Sequence, residues 1–248
     1  MTDRTALSLS IVSHGQGILV SSLLDDLSQL HWNNGLSFEI IITLNIPEDE
    51  GWLGKPRPFP LRVLHNKAPR GFGANHNAAF RAASGEFFAV VNPDIRLAGF
   101  EVAELVAALE QPNAGVCGPL VKAPNGAIED SARRFPTFGR LLLRKLLRQR
   151  DPDYRPGGET IPVDWLAGMF LLFPSAVYRK IGGFDERYFM YIEDVEISRH
   201  LRRYGLQTLW VRKTAVVHDA SRASRRNLRH MRWHVTGFLR YFFGRPRT

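Results

Sequence analysis

The run Gly85-Glu86-Phe87-Phe88-Ala89-Val90-Val91-Asn92-Pro93-Asp94-Ile95 constrains this chain more than any other stretch. Its apolar centre, bounded by Ser84-Gly85 and Pro93, reads as a strand buried on both faces. Such strands belong to sheets covered by helices, and ligands bind those sheets beyond the C-terminal ends of their strands. Asn92 and Asp94 stand at that end. A carboxylate placed there without a paired base beside it suits a divalent cation, and the cation can in turn hold a phosphate.

The flanking segments fit the same α/β class. Residues 7–12 read as a first strand turning at Ser13-His14-Gly15, the apolar spacing over 18–30 is helical, and 38–44 is a second buried strand. Strand, helix, strand is a parallel unit with a nucleotide-sized crevice at its top. Residues 47–60, rich in proline, form a loop, and 61–64 a short strand. Gly71-Phe72-Gly73 opens a helix running to Ala83, where glycines admit close approach and free N–H groups favour an anion. His76 occupies the third glycine position of a dinucleotide fingerprint, which argues against a redox cofactor.

Beyond the organising strand, the pattern predicts a helix over 100–109, a strand over 115–121, a turn at Asn125-Gly126 and an extended 128–133. A basic amphipathic helix follows over 140–148, then a Pro/Gly-rich loop over 151–162, a core segment over 163–173, a turn over 181–186 and a helix continuing to Tyr204. Glu196 reads as a complement to the dipole of that last helix. Cys117, the single cysteine, reads as a small core residue and excludes an intrachain disulfide, which suits a reducing compartment. The N-terminal residues are too few and too polar for a signal peptide, and the longest apolar segment, 165–177, is too short to span a bilayer. The expectation is a cytoplasmic protein.

The net charge of +9 is unevenly spread. From Arg199 to the end the only acid is Asp219, set against thirteen arginines and lysines, so this tail seeks an anionic surface. Residues 227–243 interleave Arg229, Arg232 and Arg240 with Met231, Trp233, Phe238, Leu239, Tyr241, Phe242 and Phe243, a mixture suited to an anionic membrane interface or to RNA. His230 and His234 lack the glutamate of a zinc-protease motif and read as solvated or membrane-facing.

One ordered set of motifs remains. Gly71-Phe72-Gly73-Ala74-Asn75, Gly85-Glu86 to Asn92-Pro93-Asp94, Ser131 to Thr137, Asp164-Trp165-Leu166-Ala167-Gly168, Gly182-Gly183-Phe184-Asp185-Glu186 and Tyr191-Ile192-Glu193-Asp194-Val195-Glu196 together resemble the family 2 inverting glycosyltransferases, in particular their bacterial rhamnosyltransferase-like branch. The resemblance implies a GT-A fold, with a mostly parallel central sheet, flanking helices and a Rossmann-like nucleotide-binding half. It implies a nucleoside-diphosphate sugar donor, Mg²⁺ or Mn²⁺ held by Asp94 and completed by His218, and a general base at Asp194. Substrate-binding positions fall at Ser13, Asn45, Gly71, Asn75, Asn92, Trp165 and Glu193, with Asn92 on ribose or sugar hydroxyls and Trp165 walling the acceptor site. The usual base-reading aspartate at the end of the second strand is replaced by Leu44, which leaves the base to Asn45 or to backbone groups.

Residues 1–248 are then a single domain: a donor half over 1–120, an acceptor and catalytic half over 121–220, and a basic amphipathic segment over 221–248. The acceptor implied is a cell-surface polysaccharide or a lipid-linked glycan, which favours an anionic membrane over nucleic acid as partner of the basic tail. The enzyme is expected at the inner face of the cell membrane. The competing reading is a non-catalytic basic adaptor of the same fold.

Overall fold

The apolar runs meet edge to edge in one large sheet. The computed structural model describes residues 6–30, 37–140, 152–155, 157–219, 228–245 and 247. Its strands are β1 (Leu7–Ser13), β2 (Phe38–Leu44), β3 (Leu61–His65), β4 (Phe87–Val91), β5 (Ile95–Arg96), β6 (Ala114–Lys122), β7 (Ala132–Arg133), β8 (Ile161–Val163), β9 (Trp165–Leu166), β10 (Phe170–Pro174) and β11 (Gln207–His218). Its helices are α1 (Gly17–Gln29), α2 (Phe72–Ala82), α3 (Val102–Leu109), α4 (Ser175–Lys180), α5 (Glu193–Arg203) and α6 (Leu228–Phe243). None of the described helices is long and apolar enough to cross a membrane.

The sheet order is β3-β2-β1-β4-β10-β6-β11-β5, with β8 added on β11, while β7 and β9 pair separately. Strands β1 to β4, β6 and β11 share one direction; β5, β8 and β10 run against them. At the centre, β4 pairs with β1 in parallel and with β10 antiparallel. Its alternate residues feed two cores: Ala89 and Val91 pack with Leu9, Ile11 and Leu172, and Phe88 and Val90 with Phe173, Tyr178 and Phe184. That is the two-faced burial its unbroken apolar sequence predicts.

Two predicted segments are divided. The organising run splits into β4 and β5 because Pro93 between them has no N–H for a ladder. The stretch 163–173 breaks at Ala167 to Met169, where Met169 donates back to the Ala167 carbonyl at 2.8 Å. Of the basic helix expected over 140–148, all but Arg140 lies outside the described residues, as does Asn227 of the C-terminal segment. Cys117 is buried, its thiol donating to the Leu105 carbonyl at 3.4 Å, and burial pushes its pKa up.

A buried carboxylate ties the crevice strands together at their far end. Glu39 Oε1 on β2 accepts from Ser8 Oγ, Ser84 N and Ser84 Oγ, each at 2.7 Å, while Ser8 Oγ accepts from Gly85 N at 2.8 Å. A Cβ at residue 85 would lie 2.6 Å from Ser8 N, so only glycine lets the chain approach β1 here. Burial alone would raise the pKa of Glu39, but the Ser8 and Ser84 hydrogen bonds outweigh it and hold it below the ordinary 4.5. A depressed carboxylate stabilises the fold above its unfolded pKa, and that stability is lost as pH falls through the folded value. Glu39→Ala is therefore expected to cost about 2 kcal/mol in urea denaturation at neutral pH, with the gap to wild type narrowing on acidification.

Candidate active site

The first acid is positioned by strand register. Beyond β4, the Asn92 N–H donates to the Met169 carbonyl at 2.9 Å and Asn92 O accepts from Ile95 N at 3.3 Å. The chain then pairs as β5 with the end of β11, which sets Ile95 opposite His218. His218 Nε2 consequently lies 3.3 Å from Asp94 Oδ2, and its Nδ1 2.9 Å from Glu129 Oε2. Hydrogen bonding to Asp94 first, and then to Glu129, pushes the pKa of His218 up to about 9 against the opposing effect of burial. Asp94 Oδ1 is buried without a hydrogen-bond partner among the described residues.

An orphaned carboxylate oxygen beside an imidazole nitrogen fits a divalent cation, provided that His218 gives up its proton to it. Among the described residues no three His, Cys, Asp or Glu side chains form a complete metal site. Two protein ligands and an otherwise open shell are what a cation shared with substrate phosphates requires.

The crevice over β1 and β2 is built differently from expectation. Asn45 Oδ1 accepts from Asn66 Nδ2 and Arg70 N, each at 2.8 Å, and its Nδ2 donates to the Arg70 carbonyl at 3.0 Å and lies 3.1 Å from His14 Nδ1. Asn75, also buried, accepts from Asn66 Nδ2 at 2.6 Å and donates to Arg70 O at 3.2 Å. Both amides hold the 66–70 loop in this structure. Gly71 admits the chain rather than an anion: a Cβ there would lie 2.5 Å from Phe189 O, which accepts the Phe72 N–H at 2.9 Å. Ser13, fully buried, donates to Glu48, whose Oε2 also accepts from Gly15 N at 2.6 Å. Asn92, by contrast, makes no side-chain hydrogen bond among the described residues and stays half-buried at the end of β4.

The second acidic group sits across the Ala167–Met169 turn. Tyr191 and Ile192 have φ of 69° and 72°, left-handed values that swing the chain sharply into α5. Asp194 Oδ1 accepts from Val195 N at 2.8 Å and Oδ2 from Gly168 N at 3.3 Å. Burial raises its pKa; the Val195 and Gly168 N–H groups and the charge of Arg133 oppose that rise. Glu193 is buried with Oε2 unpartnered among the described residues, and burial, then the Asp194 charge, pushes it up to about 8. With two N–H donors on Asp194, one negative charge for the pair rests there while Glu193 keeps its proton at neutral pH.

Glu193 and Asp194 line a cavity of about 260 Å³ together with Trp165, Arg133, Arg134 and, from α6, His234 and Phe238. Trp165 donates to Arg134 O at 3.0 Å, and the Arg133 guanidinium lies 5.4 Å from its ring centroid. A larger cavity, about 700 Å³ between α2 and the 182–187 turn, is lined by none of the expected site residues.

The Glycosyl transferase family 2 model matches residues 27–170, more than half of the chain. The chain belongs to glycosyl transferase family 2. It is 34% identical over 148 residues to N-acetylglucosaminyl-diphospho-decaprenol L-rhamnosyltransferase of Mycobacterium tuberculosis, covering 56% of this chain and 48% of that protein. It therefore spans about half the length of that relative. Over 186 residues it is 27% identical to rhamnosyltransferase WbbL of Escherichia coli, covering 69% of each. Among solved structures, mannosyltransferase PcManGT from Pyrobaculum calidifontis in complex with GDP-Man and Mn²⁺ aligns with a TM-score of 0.65 at 16% identity, over 97% of this chain and 65% of that one. GalNAc-T7 with UDP, GalNAc and Mn²⁺ aligns with a TM-score of 0.66 at 17% identity, over 86% and 43%. These likenesses bear out the GT-A fold.

Several participants escape the sequence patterns. Glu48 and Glu129 lie in loops without periodicity. His230 and His234 both contact Tyr191, at 2.6 Å from its hydroxyl and stacked on its ring respectively, while His234 stays exposed as expected. Glu196 lies in the first turn of α5, as a dipole complement would, and is also buried and ion-paired with Arg199.

The raised pKa of Glu193 has a stability consequence. A carboxyl whose folded pKa lies above its unfolded value stabilises the fold below 4.5, and that contribution is lost as pH rises through about 8. Glu193→Gln keeps the shape without the charge. Its melting temperature should match wild type in acid and exceed it above about pH 8 in scanning calorimetry.

Proposed function

We propose that the protein is an inverting, metal-dependent glycosyltransferase that moves a sugar, rhamnose by its resemblance to rhamnosyltransferases, from a nucleoside diphosphate to a lipid-linked glycan at a membrane face. One observation carries the reading. The Gly168-Met169 turn donates to Asp194 from Gly168 and accepts the Asn92 N–H at Met169, so the Asp194 carboxylate and the loop that carries Asp94 are tied to one turn, which supports a shared site.

In this reading Asp94 and His218 would hold Mg²⁺ or Mn²⁺, leaving the donor diphosphate to share it. The bound cation neutralises the charge that develops on the departing nucleoside diphosphate. Residues 1–120 form the donor half, with Ser13, Asn45, Asn75 and Gly71 supporting the crevice and Asn92 offering its free amide to a sugar or ribose hydroxyl. The Leu44 side chain cannot accept a hydrogen bond and Asn45 is committed, so in this reading Glu48, held by Ser13 Oγ and Gly15 N, meets the base or ribose. Residues 121–220 form the acceptor half. The cavity beside Trp165 receives the acceptor hydroxyl, Asp194 takes its proton as it attacks, and Glu193, protonated, donates a hydrogen bond to the acceptor. Attack from the face opposite the leaving group inverts the anomeric centre.

Three arginines, Arg133, Arg134 and Arg140, line the cavity, the first and last already paired with Asp130 and Asp153, and they support an acceptor bearing phosphate. The Mycobacterium relative is named for a diphospho-decaprenol substrate, which points the same way.

Calorimetric titration with dTDP, UDP and GDP, each with and without Mn²⁺, tests the donor half. Metal-dependent binding of one nucleotide is expected, lost in Asp94→Ala and weakened about tenfold in Glu48→Ala. Asp194→Asn should keep that affinity while lowering kcat about a thousandfold. Wild-type turnover in Asp194→Asn, or metal-independent affinity, would overturn the assignment.

A further inference from the structure

The two sides of α6 do different things. Its inner side rests on the segment that leads into Glu193 and Asp194. His234 stacks on Tyr191 with ring centroids 3.7 Å apart and planes 9° apart, His230 Nδ1 lies 2.6 Å from the Tyr191 hydroxyl, and Trp233 stacks on Phe189 at 4.8 Å. Gly237 sits against the same segment, where an added Cβ would come 3.0 Å from Ile192 Cγ1. Farther along, Arg199 of α5 donates to Tyr241 O at 3.0 Å with its guanidinium over the Tyr241 ring.

Tyr191 and Ile192 hold consecutive left-handed conformations, which a tyrosine and a β-branched isoleucine do not adopt unaided. Such geometry persists only where packing enforces it. Here α6 provides that packing directly before the two acids.

The outer side presents Met231, Val235, Leu239 and Phe243, exposed by 60%, 52%, 54% and 72%. Their spacing of four aligns them along one face. Phe138, itself 59% exposed, extends the patch by stacking on Phe242 at 4.0 Å. A continuous apolar stripe of this kind marks an interaction surface. Exposed Arg232 borders it on α6; in the sequence, Arg222, Arg225, Arg226 and Arg229 precede it, and Arg144, Lys145, Arg148 and Arg150 follow Phe138. Cations beside exposed apolar residues on an amphipathic helix match an anionic bilayer surface, where the apolar face enters the acyl boundary and the cations meet phosphate head groups.

We propose that α6 docks on an anionic bilayer through Met231, Val235, Leu239 and Phe243, and that docking braces the Tyr191-Ile192 bend that presents Glu193 and Asp194. Binding that buries one face of a helix stabilises whatever its other face holds, because the ligand favours the conformation in which both contacts exist. The docking stands independently of the catalytic reading; only the purpose of the bracing rests on it.

The test uses the full chain, flotation with vesicles and hydrogen exchange. Wild type is expected to float with vesicles containing phosphatidylglycerol and to remain below with pure phosphatidylcholine. Amide exchange over 189–196 should slow about tenfold on the anionic vesicles. The double variant Val235→Glu, Leu239→Glu should stay unbound and show no slowing, while its circular dichroism and nucleotide affinity match wild type. Flotation of that variant at the wild-type level, absence of wild-type flotation with a dimer in sedimentation velocity, or flotation without slower exchange would each overturn the proposal. Loss of nucleotide binding in wild type would sink the catalytic reading and leave this result untouched.

Discussion

The Ala167–Met169 turn is the junction on which the site depends. Gly168 gives its N–H to Asp194, Met169 lends its carbonyl to Asn92, and Ala167 N donates to Ser131 O at 2.8 Å. Three stretches far apart in sequence are thereby fixed to one another through backbone groups, whose directions are set by the peptide plane rather than by rotatable side chains. Gly168 packs closely, since a Cβ there would lie 3.2 Å from the Phe72 ring and the ring would have to give by a few tenths of an ångström. The two acidic centres are built from opposite physical conditions. Asp94 meets a cation in His218, whereas Glu193 and Asp194 are crowded together with little water.

Those conditions suit distinct chemistry. A carboxylate with one buried, unpartnered oxygen has strong attraction for a cation, because that oxygen is desolvated and makes no hydrogen bond. Buried acids with raised pKa values can exchange a proton near neutrality, which ordinary surface carboxylates do not. The sheet order explains how one chain provides both. Antiparallel β10, inserted between β4 and β6, returns the chain through the turn at the top of β4. A sheet continued in parallel there would have carried residues 167–169 to the opposite end.

Much of this was legible in the sequence because it is local. The apolar run of β4 declares a buried strand, Pro93 ends it, and Asn92 and Asp94 follow at fixed positions. Glu193 and Asp194 were legible as a pair because of the motif order that includes them. What escaped depends on partners distant along the chain. Nothing near Asn45 or Asn75 announces that Asn66 and Arg70 will take up their amides, and a glycine admitting Phe189 looks, in sequence, like one admitting a phosphate. Periodicity could not find Glu48, since a proline-rich loop has none. The contacts of His230 and His234 with Tyr191 depend on a helix folding back over α5, which charge pattern alone does not reveal.

The central claim is that the end of β4 holds a metal and a diphosphate within reach of the base at Asp194. Its most direct test is an anomalous difference map from crystals grown with Mn²⁺ and the nucleotide that binds. The account predicts a manganese peak in coordination contact with Asp94 Oδ1 and His218 Nε2, with the nucleotide's phosphates on its open side toward Asp194. A peak bound elsewhere, or phosphates in the cavity between α2 and the 182–187 turn, would contradict it.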